Sequence, residues 1–194
     1  MTDRASTSLD GASRKRVAVY CSSAPDINPD FLVLAGEVGE KLAQAGFDLV
    51  WGGGQISMMG EVSRRARHFG ASTFGVIPEK LLDKEFIDQD ATQISIVSDM
   101  RTRKAKMEEM SDAFIALPGG IGTLEEFFEI WVGRYLGFHH KPIAVCDPLG
   151  AWNSLHSALG DLTQLRLMKN GQNELIFWSD SIDQIVSEFT QKLS

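Results

Sequence analysis

Ala113-Phe114-Ile115-Ala116-Leu117-Pro118-Gly119-Gly120-Ile121-Gly122-Thr123-Leu124-Glu125-Glu126 runs from an apolar segment through a glycine-rich turn into a helical pattern. The apolar segment, Asp112 to Leu117, is short and sharply punctuated, which predicts a buried strand. Pro118 ends its ladder. Three glycines in the four positions 119–122 let the backbone turn and come close to a ligand without a Cβ in the way. A helix is predicted from Thr123, with Leu124, Phe127, Phe128, Trp131 and Tyr135 along one side. Strand, turn and helix start follow one another directly, so free amides and the positive end of a helix dipole converge on one spot suited to phosphate. Glu125 and Glu126 in the first turn have two readings. They complement the dipole, or one of them supplies negative charge where a cation develops next to a bound phosphosugar.

Outward from this stretch the same alternation repeats. Strands are predicted over 16–21, 47–51, 72–77, 93–97 and 142–146, with a further apolar run at 175–178. Helices are predicted over about 30–44, from Ile56 to near Gly70, after Ser98 or Asp99 as cap, and near 152–159 and 182–193. This is the pattern of βαβ units, and it predicts a Rossmann-like α/β fold: a doubly wound parallel sheet with helices on both faces, in a single domain over 16–194. Ligands of such sheets bind beyond the carboxyl ends of the strands, where the strand order reverses. Ser22-Ser23, Gly52-Gly53-Gly54 and Gly119–Gly122 all fall at strand carboxyl ends, which sets three loops on one rim. Between Pro78 and Gln93 the sequence is charged and irregular, so a long loop at the site is expected there. In the helix after Asp99, Met100, Arg103, Met107 and Met110 share one stripe with Lys104 at its edge. Arg103 then either points inward or lays its stem on the core with its head in water.

Composition narrows the classes of function. The chain has 194 residues, 43% of them hydrophobic, enough for one domain with a sizeable core. A net charge of −7 argues against a nucleic-acid polymer as partner, although a mononucleotide needs only a local basic spot. Residues 1–15 are polar, resemble neither a secretory signal nor a membrane anchor, and are expected to form a disordered tail. No apolar run approaches the roughly 20 residues that span a bilayer. Cys21 and Cys146 suit reduced, buried thiols in a cytoplasmic protein better than a disulfide framework or a zinc site. His139-His140 lacks further ligands at metal-site spacing, and no metal is expected.

Pro118-Gly119-Gly120-Ile121-Gly122-Thr123-Leu124-Glu125-Glu126, read as P-G-G-x-G-T-x-x-E, together with Met100-Arg101-Thr102-Arg103-Lys104, read as M-x-x-R-K, resembles the Lonely Guy family of cytokinin-activating phosphoribohydrolases. Its members are often labelled lysine decarboxylases. The resemblance extends from about Val17 to Pro148. It implies hydrolysis of the N-glycosidic bond of a nucleoside 5′-monophosphate, with no cofactor, giving the free base and ribose 5-phosphate. It implies Arg103 and Glu126 as catalytic residues, with Glu126 near the ribose and Arg103 holding substrate and carboxylate in register. Ser22, Gly53, Gly54, Glu85, Lys104, Gly119, Gly120, Gly122 and Thr123 would bind substrate. From its own surroundings Glu85 reads only as a solvated charge; the resemblance promotes it.

Two departures stand out. Val132 replaces a threonine frequent in relatives, and the first strand ends Cys21-Ser22-Ser23 where Gly-Ser-Ser is frequent, so the preference among bases stays open. AMP and N6-prenylated AMP are the candidate substrates. A general AMP nucleosidase and a non-catalytic nucleotide carrier of the same fold are the alternatives; lysine decarboxylation, which calls for pyridoxal phosphate on a lysine, is the weakest. Phe127, Phe128, Ile130 and Trp131 make the apolar side of the signature helix broad enough to suggest a partner surface, and relatives form dimers, so a homodimer is expected.

Overall fold

The computed structural model describes residues 14–82 and 86–194; the expected tail up to residue 13 and the candidate Glu85 lie outside the described residues. Arg14 and Lys15, which the sequence assigns to that tail, are tied to the domain: Arg14 donates to the Gly70 carbonyl at 2.8 Å, and Lys15 pairs with Asp112 at 3.4 Å.

Seven strands form one parallel sheet: β1 (Arg16–Tyr20), β2 (Asp48–Trp51), β3 (Thr73–Pro78), β4 (Gln93–Val97), β5 (Ala113–Ala116), β6 (Ile143–Cys146) and β7 (Ile176–Ser179). Their order is β4-β3-β2-β1-β5-β6-β7. The apolar run near 175–178 is thus a seventh, edge strand, paired in register with β6 from Ile143↔Ile176 to Cys146↔Ser179. The chain winds outward from β1 to β4, returns to lay β5 beside β1, and winds out the other way. The reversal falls between β1 and β5, with Val17↔Ala113 to Tyr20↔Ala116 in register.

Among the described residues six α-helices flank the sheet: α1 (Pro29–Gln44), α2 (Ser57–His68), α3 (Met100–Met110), α4 (Ile121–Tyr135), α5 (Asn153–Gln164) and α6 (Ile182–Leu193), and short 3-10 turns lie at Glu79–Leu81 and Asn173–Leu175. Alternate side chains of each strand enter opposite cores. Val17 and Val19 pack with α1, α2 and α6, whereas Ala18 and Tyr20 pack with α3, α4 and α5. None of the helices among the described residues is long and apolar enough to cross a membrane.

Two expectations about α4 change. It begins at Ile121, not Thr123, because Gly120 is extended and its carbonyl already accepts the Leu124 amide at 3.0 Å. The side expected to meet a partner is largely covered by the chain itself: Phe127, Ile130 and Trp131 are buried, Phe127 stacks on Trp152, and Trp131 Nε1 donates to the Gln172 carbonyl at 2.9 Å. The segment after Ala151, in which the sequence showed no chemistry, supplies this cover. What α4 exposes instead is Ile121 at its start, beside the cavity, and Val132 near its other end, followed by Leu136 and Phe138 just past it.

Candidate active site

At the carboxyl ends of β1 and β5, beside the strand reversal, a cavity of about 370 Å³ opens between Cys21–Ala24 on one side and Gly120–Thr123 on the other. Met59, Leu81 and Met100 add apolar wall, and Arg103, Glu125 and Glu126 add charge. Arg103 and Glu126, far apart in the chain, therefore face one space.

Arg103 is placed by the start of α3. Asp99 caps that helix by accepting the Thr102 amide at 2.9 Å, and this bond, with hydroxyls of Ser98 and Thr102, holds its carboxyl down to about 2. One turn on, Arg103 is only 5% exposed, which decides between the two sequence readings in favour of the inward one. Its Nη2 donates to the Gly52 carbonyl at 3.1 Å. A Cβ built on Gly52 would lie 2.0 Å from that same Nη2, so glycine is what admits the guanidinium. Met107 continues the stripe inward, whereas Met100 is 42% exposed because the first turn of α3 forms the cavity mouth.

The turn before α4 works by closeness. Neither Gly119, Gly120 nor Gly122 has positive φ. A Cβ on Gly119 would meet Thr123 Oγ1 at 2.2 Å, while Gly120 and Gly122 face open space. Among the described residues no side chain caps α4, so its first amides are left to the cavity, where an anion can take them. Thr123 is buried behind them. Ser22 lines the cavity and turns its hydroxyl back to accept the Ala24 amide at 3.1 Å.

Other sequence candidates sit elsewhere. Gly53 and Gly54 do not line the cavity: Gly53 takes φ +82° in the turn after β2, and Gly54 accepts from Trp51 Nε1 at 3.1 Å and bridges Ile87. Lys104 bonds Glu125 and lies 2.6 Å from Glu129. Cys21, at the cavity wall, and Cys146 are buried free thiols; burial pushes Cys21 up strongly and Cys146 to about 12. Among the described residues no group of three or more His, Cys, Asp or Glu could hold a metal.

Sequence reasoning placed Gly52 on the rim without its contact to Arg103, and it missed Asp88. Asp88 is buried at the far end of the β3–β4 connection and accepts from Arg67 at 2.8 and 3.2 Å and from Ser63 at 2.7 Å. Its amide donates to the Gly53 carbonyl at 3.0 Å, and Gln55 donates to Phe86 at 2.9 Å. That end of the connection is thereby fastened to α2 and to the turn after β2. An aspartate in a charged loop gives no local sign of such partners; Ser63 and Arg67 at i, i+4 on α2 are the trace it leaves.

Together these features define a doubly wound α/β domain whose reversal crevice joins an uncapped helix start to an arginine and a carboxylate. A family model described as "possible lysine decarboxylase" matches residues 59–189. The cytokinin riboside 5′-monophosphate phosphoribohydrolase of Mycobacterium marinum is 43% identical over 174 residues, 90% of this chain and 92% of that protein. The protein of the same name from Mycobacterium tuberculosis is 46% identical over 157 residues, 81% and 83% of the two chains. The chain belongs to the Lonely Guy family, whose model keeps the decarboxylase description. The molybdenum cofactor binding protein of the phototrophic bacterium Rippkaea orientalis shares the fold with a TM-score of 0.71 at 19% identity, covering 94% of this chain and 100% of that one. Decarboxylation on pyridoxal phosphate would need a lysine for the Schiff base, and no lysine is among the described residues that line the cavity.

Proposed function

We propose that this protein hydrolyses the N-glycosidic bond of cytokinin riboside 5′-monophosphates, N6-substituted adenosine monophosphates, to the free base and ribose 5-phosphate. The observation that carries the reading is that Arg103 and Glu126 share one cavity with the uncapped start of α4. The names of the Mycobacterium relatives support the same reaction.

The 5′-phosphate sits on the amides of Gly119, Gly120, Gly122 and Thr123, with the Thr123 and Ser22 hydroxyls at hand. Phosphate binding there sets the anomeric carbon toward Glu126. As the bond to the base stretches, positive charge grows on the ribose, and the Glu126 carboxylate stabilises it and orients the attacking water. Water supplies hydroxyl to C1′ and its proton ends on the departing base. Arg103, fixed against Gly52, holds the substrate in register with Glu126 and assists departure of the base. Glu85, from the β3–β4 connection, contacts the nucleoside.

Residues 16–194 act as one unit, and two copies pair with their sites near the boundary. The exposed Val132, Leu136 and Phe138 support the pairing; light scattering should give twice the chain mass. Buried free thiols agree with a cytoplasmic setting. The deciding experiment is chromatography of base and ribose 5-phosphate after incubation with a panel of nucleoside monophosphates. Release from the isopentenyl derivative well above release from AMP is expected. Equal rates would make the enzyme a general AMP nucleosidase, and tight binding without release would leave only a carrier.

A further inference from the structure

Family resemblance sets Lys104 beside the substrate phosphate. Its surroundings say otherwise. The Lys104 ammonium, on α3, bonds the carboxylate of Glu125 and lies 2.6 Å from that of Glu129, both on α4. The Lys104 side chain is only 13% exposed and is not part of the cavity wall. On its inner side, a crevice too narrow for a water molecule packs it with Tyr20, Glu108 and Glu126. Burial pulls the Lys104 pKa down, but hydrogen bonds to Glu125 and Glu129 outweigh it and leave the group above the ordinary lysine range. An ammonium has three donors, and two of them are already committed to carboxylates.

The bridge lies one residue from each catalytic candidate: Lys104 follows Arg103 on α3, and Glu125 precedes Glu126 on α4. Resting on the hydrolase reading above, we propose that Lys104 is a positioning residue. Its ammonium, shared by Glu125 and Glu129, ties α3 to α4 and so fixes Arg103 relative to Glu126; it does not ligate the phosphate. Glu108, Glu125, Glu126 and Glu129 lie together here, and without Lys104 they would repel one another across the helix pair. Half-exposed carboxylates add little to global stability. A catalytic pair is more sensitive, because a displacement of about 1 Å can cost about 10²-fold in rate.

The two roles predict opposite signs at Glu129, which is outside the cavity wall. A lysine that ligates phosphate is restrained by its carboxylates, so Glu129→Gln would free it and tighten nucleotide binding, while Lys104→Gln would weaken binding. A bridge makes both changes act alike. The test measures kcat and KM for base release from a nucleoside monophosphate, and calorimetric Kd for AMP, in Lys104→Gln, Lys104→Arg, Glu129→Gln and the Lys104→Gln/Glu129→Gln double variant. The expected result is a fall in kcat of about tenfold or more in both single glutamine variants. Kd should change by less than about threefold, the double variant should be no worse than the worse single one, and Lys104→Arg should recover most of kcat. A weakening of AMP binding of about tenfold by Lys104→Gln, with tighter binding in Glu129→Gln, would overturn the proposal. If the unaltered protein releases no base from any monophosphate, the hydrolase reading is what fails; calorimetry still judges the bridge, since AMP binding within about threefold of the unaltered protein in both glutamine variants supports it, and binding about tenfold weaker in Lys104→Gln refutes it.

Discussion

The β5–α4 junction and the β3–β4 connection both serve the cavity, and they are built in opposite ways. The junction is contiguous: strand, glycines and helix start come from one stretch, and the amides it offers need no distant residue to aim them. The connection is held from afar, with Asp88 reaching Arg67 and Ser63 on α2 and its backbone reaching the turn after β2. A binding site for an anion can thus be local, whereas the connection that brings Leu81 to the cavity is held by tertiary partners at its far end.

The largest effect should break the junction's chemistry and spare its structure. Glu126→Gln keeps the size of the side chain and removes its charge, and kcat for base release should fall by about 10²–10⁴-fold with unfolding unchanged. A rate near that of the unaltered protein would move the carboxylate role to Glu125, which lines the same cavity. On the other side of the comparison, Asp88→Ala leaves Arg67 without its buried partner; the side chains are 4% and 19% exposed. Removing one member of such a pair costs about 3–5 kcal/mol, to be read from urea unfolding alongside faster proteolysis of the connection. Unchanged proteolysis would mean that the connection holds by its backbone alone.

A somewhat smaller loss should follow Gly52→Ala, which tests where the two regions meet. The new methyl collides with the Arg103 guanidinium, which must shift by about 1 Å, for a loss of about 10²-fold in kcat. Thermal stability should move much less, because Gly52 has ordinary backbone angles and an alanine there is not strained.

How much was legible follows the same division. The parallel sheet and its rim were readable because strand runs, glycine turns and helical spacing are local patterns; the methionines around Arg103 left its direction open, and its burial decides it. The position of Lys104 was not, since nothing in its own helix announces two carboxylates from α4. Gly52 and Gly53 are adjacent and look interchangeable in sequence, yet one clears space for Arg103 and the other makes a left-handed turn. Phe127 and Trp131 read as a partner surface because the covering Trp152 and Gln172 come from a segment whose packing no periodicity reveals.

The junction is less self-contained at its back, and pH should show this with the smallest effect. Behind β5, His139 is 7% exposed, tilted against Phe114 with ring centres 5.6 Å apart, and its Nε2 meets the Ile130 carbonyl at 2.8 Å. That contact makes Nε2 the protonated nitrogen and leaves Nδ1 bare, buried and without a hydrogen-bond partner among the described residues. Burial pushes the His139 pKa below the ordinary histidine value of 6.5, with the Ile130 carbonyl opposing only in part. The unfolded chain therefore takes up the proton first as pH falls, so the stability from this residue is full above about pH 6.5 and is lost on acidification toward the folded pKa. The slope from one proton is at most about 1.4 kcal/mol per pH unit. Carboxylates titrate in the same direction at lower pH, so the contribution of His139 is read as a difference from His139→Gln, which can still donate to Ile130. Between pH 7 and pH 5 the unaltered protein should lose stability faster than the variant. Parallel curves would mean that His139 rides on the back of α4 without being held there, and that the junction is local on both sides.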